Sequence, residues 1–167
     1  MPYRHPHTLT YRVAAPLLLL YAQPIVRIAG LTVQDVRLSS AETHILLGKQ
    51  TTLMPEPFAT LLREHITARP NMRAGNSDNS PWLFPSSRAG RHLSPNTIMI
   101  RLRDLGIDLL GSRNASLREL VRQVPAPIIA TQLGYSTQVT LKHAALAAEP
   151  MQRYAALRSP TASRGTH

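Results

Sequence analysis

Apolar residues recur every three to four positions along most of the chain, and alternate with polar ones only in a short middle stretch. Residues 9–21 predict a helix that is bent or restarted at Pro16 and almost wholly buried. Pro24 opens a further short helix over IVRIAGL, with Ile25, Ile28 and Leu31 facing inward and Gly30 at its end. Residues 33–38 then alternate as V-Q-D-V-R-L. Residues 43–47 and 51–54 are rich in β-formers on either side of a Gly48-Lys49-Gln50 turn. These segments predict a small antiparallel sheet of two or three strands, too small to stand without helices against it.

Pro55-Glu56-Pro57 starts a helix with Phe58, Leu61, Leu62, His65 and Ile66 on one face. Residues 69–81 lack periodicity and read as a polar loop. WLFP, residues 82–85, returns to the core as an extended segment with Trp82 as packing, and a basic turn follows over residues 86–91. Ser94-Pro95 caps a helix with Ile98, Leu102 and Leu105 inward and Gly106 at its end.

In the last third, Leu117, Leu120, Val121 and Val124 recur at i, i+3, i+4 and i+7. Asn114 or Ser116 can cap that helix, and Pro125 ends it. Pro127 suits the first turn of a second helix, PIIATQL, and Gly134 stops it. Ser136 caps a third helix that runs to about Ala148, and Pro150 begins a last short one, MQRYAALR. A short helix, a tight turn and a capped helix are the layout of a DNA-reading element. The order of elements predicts an α+β fold, mostly helical, with helices around a small antiparallel sheet. A single domain is expected over residues 9–157, between disordered ends at 1–8 and 158–167.

Charge changes this picture most. Nineteen basic residues face nine acidic ones, for a net charge of +10 and a pI near 11.2. All the basic residues except Lys49 and Lys142 are Arg, whose planar fork suits phosphate and guanine edges. A polyanionic partner, DNA or RNA, is the expectation; Arg-rich codon usage is the alternative source of the same composition. Cysteine is absent, which excludes a disulfide framework and cysteine-based metal sites or nucleophiles. The apolar run at residues 13–22 is about half a membrane span and contains Pro16, so it reads as a buried helix of a cytoplasmic protein. His5 and His7 have no partners to complete a ligand set, and neither a metal nor a cofactor is expected.

Two stretches together resemble the catalytic domain of tyrosine recombinases of the phage-integrase and Xer type. The first, LLLLYAQPIVRIAGLTVQDV at residues 17–36, is similar to the family's apolar helix, arginine box and "LxxxDV" entry to the sheet. The second, ASLRELV followed by LGYSTQVTLKHA, is similar to its H-x-x-R box and its "LGH-S…T…Y" segment. The resemblance spans roughly residues 9–156 and lacks the family's N-terminal core-binding domain. It implies DNA as partner, with a homo-oligomer on the DNA, and cleavage by a Tyr whose phosphoryl transition state is stabilised by Arg, Lys and His side chains.

Position by position, the resemblance implies a degenerate site. The family's first Arg falls on Pro24, with Arg27 one helical turn on. Its hairpin Lys corresponds to Lys49, and the Arg of its H-x-x-R box is Arg118. Its two His positions hold Ala115 and Tyr135, and its nucleophile position holds Ala144, with Tyr154 further along. The candidate catalytic set, if chemistry survives, is Arg118, Lys49, Arg27 and Tyr154. The candidate DNA contacts are Arg91, Arg101, Arg113, Arg118, Arg122 and Lys142. Arg118 and Arg122 stand four apart and so share one helix face.

The expected function is therefore DNA binding on a recombinase-like fold without strand cleavage. Three other readings stay open: a helix-turn-helix regulator, with Ser136, Thr137, Gln138 and Lys142 at the DNA; an active recombinase with Tyr154 as displaced nucleophile; and an Arg-rich interaction module with no DNA role.

Overall fold

A computed structural model describes residues 6–69 and 80–158, with backbone alone at positions 6, 7, 151, 152 and 154–158. The metal reading of His5 and His7 and the terminal tail at 159–167 lie outside the described residues. Helix α1 (Pro6–Leu19) runs through the middle of the fold, packed against α3 (Phe58–Thr67), α4 (Pro95–Asp104) and α5 (Leu109–Gln123). It is neither broken nor restarted at Pro16, but it ends at Leu19 and is not almost wholly buried, since Arg12 is exposed and Leu19 is 38% exposed off the packed face. Proline in a helix interior costs about 3 kcal/mol. Val13, Ala14, Leu17 and Leu18 flank it and are all fully or almost fully buried. Burying Val and Leu side chains returns roughly 1.5–3 kcal/mol each, together more than the cost of the proline.

After α1 the chain turns sharply at Ala22, whose φ is +53°. The short helix α2 (Ile25–Ala29) follows, with Ile28 buried and Ile25 half-buried. The strand expected from Val33 starts three residues later. Thr32 and Asp35 form a reciprocal cap, in which the Asp35 carboxylate accepts from the Thr32 backbone N–H at 2.8 Å and from its hydroxyl at 2.9 Å. That cap winds Val33–Asp35 into a 3-10 turn. The antiparallel sheet is β1 (Val36–Leu38), β2 (Thr43–Leu46) and β3 (Thr51–Met54), in that order, with Val36 opposite Ile45 and Ile45 opposite Thr52. Ile45, Leu47 and Met54 bury its inner face.

The WLFP segment returns to the core as expected. Leu83 donates its backbone N–H to the Leu31 carbonyl at 2.9 Å, and Leu83 and Phe84 are completely buried. His65 on α3 is buried against Phe84, with its Nε2 2.8 Å from the Leu83 carbonyl.

Three expectations about the last third are corrected. Helix α5 starts at Leu109, capped by Asp108 through the Gly111 N–H at 3.2 Å, and not at Asn114 or Ser116. Ser116 lies inside the helix, where its hydroxyl contacts the Leu19 and Ser112 carbonyls. Leu105 was expected inward but is 63% exposed, because α4 has already ended at Asp104. Helix α6 (Ala126–Leu133) stops at Gly134 as expected, but α7 (Thr137–Arg158) continues through Pro150 without a new start. Among the described residues, seven helices and one three-stranded sheet make a mostly helical α+β fold, and no helix is long and apolar enough to cross a membrane.

Candidate nucleic-acid interface

The C-terminal end of α6 organises the site. A helix leaves its last carbonyls without partners, and here other parts of the chain supply donors. The Leu133 carbonyl accepts from Arg27 Nη1 at 3.0 Å and from Gln23 Nε2 at 3.3 Å. The Thr131 carbonyl accepts from the backbone N–H of Lys49 at 2.8 Å. Gly134 ends the helix in the left-handed region with φ of 74°, and the Arg27 guanidinium lies against it.

The hairpin tip can approach this closely because it carries Gly48. A Cβ there would lie 2.3 Å from the Thr131 carbonyl oxygen and 2.6 Å from the Gly134 nitrogen. Between α2 and the hairpin lies a cleft of about 570 Å³, lined by Pro24, Arg27, Asp35 and Gly48 among others. Pro24 lines this cleft without a charge.

Tyr135 sits at the same junction. Its hydroxyl donates to the Ala22 carbonyl, on the turn that precedes α2. Burial raises the pKa of this phenol above its ordinary value, while the nearby Arg113 and Arg27 cations pull it the other way. Arg27 and Arg113, far apart in sequence, therefore both stand near one side chain.

Arg113 also connects to a second group. His143 on α7 is half-buried against α5, and its Nδ1 is enclosed without a hydrogen-bond partner. Its pKa lies below the usual histidine value, first because of burial and then because of Arg118, Lys142 and Arg113. Three cations thus act on one imidazole, a positive locality suited to an anion. Among the described residues, no ion pair joins Arg27, Arg113, Arg118 or Lys142 to a carboxylate.

Of the sequence-derived candidates, Arg113, Arg118 and Lys142 thus gather around His143. Arg27 and the backbone of Lys49 meet at the end of α6. Arg122 is exposed and 3.5 Å from Glu119. Arg101 is exposed on α4; its neighbour Arg103, not Arg101, shares a cavity of about 420 Å³ with Arg113. Arg91 lines a separate cavity. Tyr154 lies on α7, but its side chain is outside the described residues. By its place in the sequence His143 reads as a surface or satisfied histidine rather than a nucleophile, and Arg103 is not singled out. The Lys-His pair at 142–143 was a local signal for the first, and nothing local pointed to the second.

The same architecture occurs in solved recombinases. The chain matches the XerH site-specific recombinase, bound to its palindromic difH substrate in a post-cleavage complex, with a TM-score of 0.65 and 14% identity. That match covers 93% of this chain and 47% of that one. It also matches the XerA recombinase, with a TM-score of 0.64 and 18% identity over 92% of this chain and 58% of the other. The chain thus spans about half the length of the solved proteins it matches. No protein-family model matches the sequence, and no curated protein matches it significantly. The arrangement of helices around a three-stranded antiparallel sheet is the fold of a recombinase catalytic domain.

Proposed function

We propose that this protein binds DNA through the α5–α7 face and does not cleave it. The observation that carries the reading is that Arg113, Arg118 and Lys142, none joined to a carboxylate among the described residues, all act on His143. A net charge of +10 adds long-range attraction to a polyanion. The XerH recombinase, with the same fold, is seen on DNA. A homo-oligomer on DNA and a cytoplasmic location belong to the same reading.

Loss of cleavage follows from what occupies the reacting positions. Ala144 offers no nucleophile. Tyr154 is ten residues further along one helix, about 15 Å along its axis, too far to take that place in the same chain. Arg27 is engaged with the Leu133 carbonyl, and the Tyr135 hydroxyl with that of Ala22. The helix-turn-helix reading is second: Ser136, Thr137, Gln138 and Lys142 are all exposed at the start of α7, but the fold around them is that of the solved recombinases.

Two assays test the proposal. Gel-shift affinity for duplex DNA should fall steeply with salt, and R118A or K142A should each reduce the logarithmic salt slope by roughly one. Absence of duplex binding at low salt overturns the reading. A nicked suicide duplex should trap no covalent adduct; an adduct that disappears in Tyr154→Phe would establish cleavage by a displaced tyrosine.

A further inference from the structure

Away from the α5–α7 cluster, the loop between WLFP and α4 borders an open cavity of about 790 Å³. Its walls include Tyr11 of α1, Trp82, Arg88, Arg91, His92 and Thr97 of α4. The volume lies within the range of ordinary small-molecule sites. Two features of its lining set it apart from the two clefts described above. It combines aromatic surface with two guanidinium groups, and none of its described lining residues is acidic.

The loop is built, not slack. Ser86 donates its N–H to the Arg91 carbonyl at 2.8 Å, Arg91 to that of Arg88 at 3.2 Å, and Leu93 to that of Phe84 at 2.7 Å. Trp82 Nε1 donates to the Gly90 carbonyl at 3.0 Å, which ties the indole to the loop. His92 meets Trp82 edge-on, with ring centroids 4.9 Å apart at 78°. That contact uses the edge of one ring and the indole stays only half-buried, so aromatic surface borders the cavity. Arg88 and Arg91 are exposed, and among the described residues neither is paired with a carboxylate.

Aromatic surface beside unpaired Arg is the chemistry that holds an unpaired base and its phosphate. We propose that this cavity binds a single nucleotide, its base against Trp82 and its phosphate on Arg88 and Arg91. The nucleotide has two sources with the same chemistry: a free nucleoside monophosphate, or a nucleotide unpaired from a DNA strand. The site is separate from the α5–α7 cluster and does not depend on the DNA-binding reading of it.

Trp82 is the only Trp in the chain, so its fluorescence reports on this cavity alone. Titration with 2′-deoxyadenosine 5′-monophosphate should quench it saturably, and deoxyadenosine or inorganic phosphate alone should act much more weakly. The R88A/R91A double variant should lose roughly tenfold or more in affinity with an unchanged circular dichroism spectrum, since both side chains are exposed on the loop. A hairpin duplex with one unpaired adenine should quench Trp82 and compete with the monophosphate if the strand is the source. Quenching by the monophosphate but not by that duplex assigns the site to a free nucleotide. No saturable quenching by either ligand, or quenching that R88A/R91A leaves unchanged, overturns the proposal. Gel shifts with fully paired duplex report on the α5–α7 cluster instead, so the two readings fail separately.

Discussion

The Arg27 guanidinium donates to the carbonyl oxygen of Leu133 across 3.0 Å, joining residues 106 positions apart in the chain. The bond places a cation at the negative end of α6, beside the left-handed Gly134. Arg27→Met keeps most of the apolar stem and removes the donor. It should lower stability by about 1 kcal/mol, or roughly 2–4 °C in melting temperature. Thermal unfolding of the two proteins side by side checks this. An unchanged melting temperature would mean that Arg27 is free for another partner.

Gly48 governs how the hairpin docks. A methyl group there must push into the Thr131 and Gln132 carbonyls, which are backbone atoms and cannot swing aside. Gly48→Ala should therefore lift the tip, break the Lys49 N–H bond to Thr131 and cost about 2 kcal/mol. The variant should show faster hydrogen exchange at the Lys49 amide. Exchange as slow as in the parent would contradict the close approach.

His65 sets a pH dependence. Burial holds its pKa below the usual 6.5, reinforced by Arg69 and opposed by the hydrogen bond to Leu83. The folded state therefore keeps this imidazole neutral while the unfolded chain takes up a proton below pH 6.5. The stability is fully present above that pH. It falls as pH drops towards the lowered folded pKa, by at most about 1.4 kcal/mol per pH unit. His143 acts in the same direction. Urea unfolding at pH 7.5 and 5.5 should show the loss, and His65→Gln should flatten part of it. An identical slope in that variant would place the effect elsewhere.

How far the sequence carried the structure can be judged from single residues. Gly134, Ser94 and the hairpin turn around Lys49 were legible because each acts through its immediate neighbours. Pro16 and Pro150 misled, since proline's local cost says nothing of what lies on the faces of the helix. For Pro16 the buried side chains on either side supply the reason; for Pro150 the structure offers none. Asp108 was overlooked as a cap because Gly111, three residues on, resembles a helix breaker. The backbone N–H of that same glycine is the one that Asp108 caps. Arg118 and Lys142 enter the candidate site from a resemblance and from charge. The nearness of Arg113 to both Tyr135 and His143 was not legible, because it depends on how α5, α6 and α7 pack.

The bonds from Ala22, Gln23 and Arg27 to Leu133 and Tyr135 also bear on how the protein is made. Synthesis proceeds from the N-terminus, at roughly 5–20 residues per second. The turn around Ala22 and the end of α2 are made early, yet their partners emerge only when the ribosome has passed Tyr135. Closing loops of 106 to 113 residues is slow compared with forming the helices inside them. The first half of the polypeptide therefore waits with one side uncovered, and a nascent chain stalled before Gly134 presents that side to chaperones and proteases.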